Sequence, residues 1–280
     1  MNSLVVGNTS QLSYYFPQKY ERVSSRNIDL TLYDKEYDRV FLTFAEQRLS
    51  EIHSLQEYIE INSDLTLKLI NFFKDKANYV IVYGSCELWN NIEGSIDEKN
   101  LSSFDFDKNS PYYGYCISKV NMIKEINKLK NKNIIVLHPF NFNSPKRKPS
   151  FLFYKIFDSI INRKKITIGD TYFYRDLIHP KYVVEKSLVA TKDEILGSGR
   201  LTFMNDFIRE LYRQNHLNYN DYVEEIFNTD IIPKKKILYL NSKEILYNKL
   251  LEDTLLDIKM EKIENEIDWE ENKFSQQYDK

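Results

Sequence analysis

The sequence predicts an α/β fold built on a doubly wound parallel sheet, and three observations carry that expectation. Short, nearly continuous apolar runs such as Tyr79-Val80-Ile81-Val82-Tyr83 and Ile134-Ile135-Val136-Leu137 recur along the first half, and such runs suit strands buried on both faces. Between them lie stretches with apolar residues at helical spacing, so strand and helix alternate. The chain has 280 residues, 42% hydrophobic and 29% charged. It can therefore bury one sizeable core, which excludes a disordered segment, a fibre or a disulfide scaffold.

The elements follow in chain order. Leu4-Val5-Val6-Gly7 reads as a strand closed by glycine, and residues 8–12 as a polar turn leading into a helix. Further strands are expected at 21–25, 39–44 and 79–84, the last preceded by helical spacing at Tyr58, Leu65, Leu69 and Phe72. A helix over 115–129, with Val120, Ile123 and Ile126 on one face, leads into a strand at 133–137. After Pro139 the pattern changes to a loop punctuated by Pro145 and Pro149, a helix at 151–161 and a short strand at 166–169. Near the end, Leu251, Leu255, Ile258, Ile263 and Ile267 stand among many charges, the pattern of an amphipathic helix packed on the body.

Composition narrows the function. Lys and Arg number 39 against 41 Asp and Glu, a net charge of −2, which provides no footprint for binding a phosphate backbone and argues against a nucleic-acid partner. The longest apolar runs fall far short of the roughly 18 residues that span a bilayer, so no membrane partner is expected and the location is read as cytoplasmic. Two cysteines, Cys86 and Cys116, and four scattered histidines, His53, His138, His179 and His216, imply no metal site. Glycine is scarce, 7 of 280, where a typical chain has roughly 7%. Asn, Lys, Ile, Tyr and Phe are abundant throughout, so the glycines that remain mark positions where the backbone needs them.

A strand that ends in glycine and opens a helix is where open α/β sheets bind a dinucleotide pyrophosphate. Here Gly7, Ser10 and Ser13 take the positions of a G-x-x-G-x-x-G loop. The candidate cofactor loop is Gly7, Asn8, Thr9, Ser10, Gln11 and Leu12, joined by Thr43 at the end of the third strand. After the second strand Ser24-Ser25-Arg26-Asn27 offers hydroxyls and a guanidinium where an acidic residue would take a ribose 2′-hydroxyl. Arg26 therefore favours NADP(H), with NAD(H) left open.

Tyr115-Cys116-Ile117-Ser118-Lys119 places a phenol and an ammonium on one helix face. A nearby positive charge lowers the phenol's pKa from about 10 and makes it a usable acid or base. Upstream, the fourth strand ends in Tyr83-Gly84-Ser85-Cys86-Glu87-Leu88-Trp89, which puts a hydroxyl at the sheet's carboxyl edge. Ser85, Tyr115 and Lys119, in that order, form a carbonyl-reduction set.

With these residues the chain resembles the extended short-chain dehydrogenase/reductases that act on nucleotide sugars, from residue 4 to about residue 212. The resemblance is carried by Ser85-Cys86-Glu87-Leu88-Trp89, by Ser110-Pro111-Tyr112 through Lys119, and by His138-Pro139-Phe140-Asn141-Phe142-Asn143-Ser144-Pro145. Asn62, Arg175-Asp176-Leu177-Ile178-His179 with Tyr182-Val183-Val184, and Gly197-Ser198-Gly199-Arg200 extend it. Gly-Ser-Cys-Glu-Leu and His-Pro-Phe-Asn-Phe-Asn-Ser-Pro are most similar to the GDP-4-keto-6-deoxymannose reductases, with the GDP-mannose 4,6-dehydratases next. The chain departs from the family pattern at the two loop serines, at His138 in place of arginine and at Asn90 in place of glycine.

The resemblance implies a Rossmann-type core over 1–140 and a substrate-binding subdomain over 141–280, with core elements returning near 175–195 and a C-terminal helix. Tyr115 would exchange a proton with a sugar hydroxyl or carbonyl. Lys119 would hold the nicotinamide ribose and lower the Tyr115 pKa, and Ser85 would hydrogen-bond the carbonyl oxygen. Glu87 is the counterpart of the dehydratase base. Asn141, Arg175 and Arg200 would contact the nucleotide-diphosphate sugar, and a homodimer through two helices per subunit is usual for the family. Three function classes remain: a reductase of a nucleotide-linked 4-keto-6-deoxy sugar, an epimerase or 4,6-dehydratase using the same set, and a non-catalytic nucleotide-sugar binder.

Overall fold

A computed structural model of the chain describes residues 2–47, 54–147, 149–226, 238–241 and 247–278, the last with side chains for 249–265. His53 and the side chain of Ile267 lie outside the described residues.

The strands are β1 Ser3–Val6, β2 Glu21–Val23, β3 Tyr37–Leu42, β4 Ala77–Tyr83, β5 Gly94–Ile96, β6 Ile134–Pro139, β7 Asn141–Phe142, β8 Ile166–Gly169, β9 Tyr174–Ile178, β10 Glu194–Leu196, β11 Leu201–Phe203, β12 Val223–Ile226 and β13 Leu238–Leu240. The helices are α1 Leu55–Ile59, α2 Thr66–Phe73, α3 Tyr113–Leu129, α4 Leu152–Asn162, α5 Pro180–Val189, α6 Met204–Gln214, α7 Tyr219–Tyr222 and α8 Tyr247–Tyr278. Contacts divide the chain into two units. The first comprises Met1–Phe142, Arg175–Leu201 and Lys236–Ile245, and the second Asn143–Tyr174, Thr202–Lys235 and Leu246–Lys280.

The first unit is Rossmann-like. Its main sheet runs β10-β6-β4-β3-β1-β2 with every pairing parallel. The apolar runs predicted as strands supply its buried middle, with Leu4, Val5, Val6, Val40, Phe41, Val80 and Ile81 fully enclosed. The winding direction reverses between β1 and β3, and the crevice outside the carboxyl ends at such a reversal is where open sheets hold ligands. Gly7 and Thr43 follow those two strands directly.

The helix expected after the first glycine does not form. Residues 8–12 make turns, and a single 3₁₀ turn, Ser13–Tyr15, is all that follows. Pro17 explains the loss: a proline pushes the preceding residue out of the helical region and cannot donate to a continuing helix. Phe16 is extended, at φ −70° and ψ 152°. Leu12 and Phe16 take over the packing role of a helix face, both buried, with the Phe16 ring 4.5 Å from Phe41.

The long helical stretch before β4 starts with a capping box, in which Ser54 Oγ accepts from Glu57 N and Glu57 Oε2 accepts from Ser54 N. It continues through a π-helical turn at Glu60–Leu65 into α2. Within that turn Asn62 is fully buried. It accepts from Glu46 N at 2.8 Å and donates to Glu46 O at 2.9 Å and to Ser118 Oγ of α3 at 3.1 Å.

In the second unit β8 pairs in parallel with β12, and Glu225 of β12 gathers its neighbours. It accepts from Thr171 N and Oγ1, from Asn205 Nδ2 and from the Tyr219 hydroxyl. Along α8, Leu250 and Ile258 are buried and Leu251 and Leu255 half-buried, whereas Ile263, expected on the packed face, is 39% exposed. Lys146 reaches Glu261 and Glu264 on that helix, so charge rather than apolar burial holds this turn. Among the described residues no helix is long and apolar enough to cross a membrane.

Candidate active site

Ser85 sits where β4 ends, and extended backbone there lets its hydroxyl cap the 3₁₀ turn Cys86–Trp89 by accepting from Glu87 N at 3.2 Å. On α3, Tyr115 and Lys119 lie one turn apart and both are buried. The phenol of Tyr115 hydrogen-bonds the Ser85 hydroxyl. Lys119 Nζ donates to Tyr83 O at 2.8 Å and stands 5.9 Å from the centre of the Tyr115 ring. The three residues therefore meet at the carboxyl end of β4.

Their electrostatics differ from the expectation. Burial raises the Tyr115 pKa well above its ordinary value, and the Ser85 hydrogen bond offsets only part of this. Lys119 does not depress it; its own ammonium is pulled down to about 8 by burial. A low-polarity site penalises both charged forms.

Glu87 lies next to this set. Burial raises its pKa, while the charge of Arg175 and the Asn90 amide, 3.3 Å from Oε2, work in the other direction. Asn141 Nδ2 lies 3.9 Å from Cys86 Sγ, and Cys116 Sγ donates to Glu87 O at 3.3 Å. Burial pushes the Cys116 thiol up to about 12 and the Cys86 thiol higher as well, so both act as packing residues. Asp176, adjacent to Arg175 on β9, is fully buried and accepts from Ser198 N and Oγ, both at 2.7 Å, and from Leu240 N at 2.9 Å. The Gly197-Ser198-Gly199 segment is fixed by these bonds, and Arg200 beyond it is exposed.

A second cluster forms at the winding reversal. Gly7 has φ +108°, and a Cβ on it would fall 2.8 Å from Thr43 Oγ1 and 2.9 Å from Phe44 N, so glycine is required. Ser10 Oγ donates to Thr43 Oγ1 at 2.7 Å, and Thr43 in turn donates toward Val6 O and Gly7 O. Asn8 and Thr9 are exposed, Gln11 is half-buried, and Leu12 has its side chain in the core, leaving only its backbone for a ligand. Arg26 is exposed just past β2.

A model of the NAD-dependent epimerase/dehydratase family matches residues 24–198, more than half of the chain. The chain belongs to that family. The match begins after β1, the glycine loop and β2, the part of this epimerase/dehydratase-family member in which a helix is missing. Solved structures of the same fold include a UDP-N-acetylglucosamine 4-epimerase from Methanobrevibacter ruminantium M1 in complex with UDP-N-acetylmuramic acid, at TM-score 0.73 and 16% identity over 93% of this chain and 98% of that one. RMD from Pseudomonas aeruginosa, complexed with NADPH, is similar at TM-score 0.69 and 16% identity over 93% and 100%. The UDP-glucuronic acid 4-epimerase from Bacillus cereus, in complex with UDP-glucuronic acid and NAD, is similar at 0.68 and 15% over 93% and 99%. No curated protein matches the sequence.

In this family member some residues at the site had no signal in the sequence beyond a departure from pattern. Asn90, where glycine is usual, holds Glu87 and also accepts from Asp107 N at 2.9 Å. His138, where arginine is usual, is buried beside Gly84 and Trp89. Burial, followed by the Lys119 charge, lowers its pKa to about 3, so the imidazole is neutral.

Proposed function

We propose that the chain is an NAD(P)H-dependent reductase of a nucleotide-linked 4-keto-6-deoxy sugar. The observation that carries this reading is the meeting of Ser85, Tyr115 and Lys119 at the carboxyl end of β4, the donor set that reduction of a ketone needs at the carbonyl oxygen, in a chain whose 84–88 and 138–145 segments are similar to those of keto-sugar reductases.

The donor set fits a nicotinamide dinucleotide. Lys119 would hold its ribose, and Gly7, Ser10 and Thr43 would stand at its diphosphate, at the reversal point of the sheet. The exposed Arg26 suits a 2′-phosphate and so NADP(H) over NAD(H); relatives of this fold have been solved with either form. Bound there, such a cofactor would supply a hydride to the sugar carbon. Tyr115 gives its proton to the oxygen of that carbonyl while Ser85 donates a hydrogen bond to the same atom, and the alcohol results. The phenolate left behind takes a proton from solvent. Asn141 and Arg175 hold the substrate's nucleotide diphosphate, and Glu87 accepts a hydrogen bond from a sugar hydroxyl.

The epimerase alternative draws on the neighbours, several of which bear that name, and it uses the same three residues. Incubation with NADPH and a nucleotide-linked 4-keto-6-deoxy sugar decides between them: the reductase consumes NADPH stoichiometrically with sugar. Interconversion of sugars without net NADPH loss would replace this reading with the epimerase. A protein that binds nucleotide sugar and no dinucleotide would be a binder only.

A further inference from the structure

The crossover from β1 to β2 lacks its helix, and one side chain holds what stands in its place. Arg22 of β2 donates from Nε to Ser13 O at 3.2 Å. One terminal nitrogen donates to Gln18 O at 3.3 Å and Tyr20 O at 3.0 Å, and the other to Phe16 O at 2.7 Å and Pro17 O at 3.2 Å. In a helix such carbonyls would be met by amides four residues on; in this unwound segment the guanidinium meets them instead, sharing Pro17 O with Tyr20 N, which donates to it at 3.0 Å. The planar guanidinium, with its fan of N–H groups, is the side chain able to serve so many at once.

The position of Arg22 ties this clamp to the glycine loop. It pairs in register with Val5 of β1, and the next residue, Val23, accepts from Gly7 N at 2.8 Å and Asn8 N at 3.1 Å. Adjacent residues of β2 thus hold both ends of the crossover: the Val23 carbonyl holds the entry at 7–8, and the Arg22 guanidinium holds the exit at 13–20. Ser10 lies between these anchors, and Leu12 and Phe16 plug the same stretch into the core.

We propose that Arg22 is a positioning residue for dinucleotide binding, the frame that keeps residues 7–13 in place where other chains use a helix. The proposal rests on the cofactor assignment above. Because its fork faces backbone carbonyls, Arg22 acts through the loop and does not itself contact phosphate.

The test compares the full-length wild type with Arg22→Lys, which keeps the charge but not the fork, and with Arg22→Ala. Three quantities are read: the NADPH dissociation constant by fluorescence titration, thermal unfolding, and amide hydrogen exchange. For Arg22→Lys the expected result is NADPH binding weakened by about tenfold or more, faster exchange confined to residues 8–20, and unchanged exchange in α3. If Arg22→Ala fails to fold, Arg22→Lys decides. Undiminished NADPH affinity in a folded Arg22→Lys protein would overturn the proposal while leaving the cofactor assignment standing. Faster exchange throughout the first unit, α3 included, would also overturn it, since Arg22 would then be a general support. A wild type that binds neither NADPH nor NADH overturns the cofactor assignment and this proposal together.

Discussion

The imidazole of His138 occupies the space that a Cβ on Gly84 would need. The two residues lie on neighbouring strand ends, joined by Gly84 N donating to Leu137 O at 2.8 Å. The Trp89 ring meets the imidazole edge-on at 5.1 Å. The turn that delivers Ser85 is therefore shaped by a glycine and a histidine acting together.

Gly84→Ala should destabilise the protein by about 1–3 kcal/mol, the usual range for overpacking. His138→Ala in the same chain should recover much of that loss, because the colliding ring is gone. Urea unfolding of the two single variants and the double variant measures the coupling. Simple additivity would mean that the imidazole is not what excludes a side chain at 84.

Tyr115→Phe removes one hydroxyl from a buried site and leaves the ring. Turnover should fall by roughly 10²-fold or more, with the NADPH dissociation constant and thermal midpoint nearly unchanged. Steady-state rates with reduced cofactor and a keto sugar check this; retention of most activity would remove Tyr115 from the mechanism.

Stability should rise as the solution becomes alkaline. Lys119 titrates at about 8 in the folded chain, whereas the unfolded chain keeps that proton to about 10.4. Over that interval the unfolded state binds more protons, so the unfolding free energy increases with pH, by about 2–3 kcal/mol between about pH 8 and pH 10. Further up, Tyr37 and Tyr212, each pushed up to about 12 by burial, reverse the trend, since the unfolded phenols ionise first. Denaturant titrations at a series of pH values should show this rise in the wild type and lose it in Lys119→Met.

His138 governs the acid side. Its folded pKa of about 3 lies below the unfolded value, so stability drains away as pH falls below about 6.5. His138→Asn should flatten that limb, and a slope unchanged by the substitution would assign acid sensitivity to other groups.

Arg26→Ala should weaken NADPH binding by about tenfold or more and leave NADH nearly unaffected. Parallel titrations with the two cofactors read this directly. Equal losses would mean that Arg26 does not contact a 2′-phosphate.

The sheet was legible in the chain because β4 and β6 are runs of apolar, largely β-branched residues whose burial on both faces leaves no other arrangement. The meeting of Ser85, Tyr115 and Lys119 was legible for a related reason, since a strand end and one helix turn are local features. Pro17 was the available signal that the first helix would fail, but the polar turn before it resembles a helix start. Arg22 carried no signal at all, because its partners are backbone carbonyls, which look alike in every sequence. The protonation of Tyr115 was hidden for a third reason: it depends on burial, which only the assembled core creates.

The last donor to reach Asp176 comes from Leu240, 64 residues further along the chain. During synthesis, β1 to β10 and both residues of the Tyr115–Ser85 pair emerge from the ribosome before this amide does. A nascent chain stopped short of residue 240 must hold a buried carboxylate with one donor fewer, next to the arginine that faces Glu87. The strand that carries Arg175 therefore lacks one of its anchors until residue 240 has been made, although that anchor lies far from it in sequence.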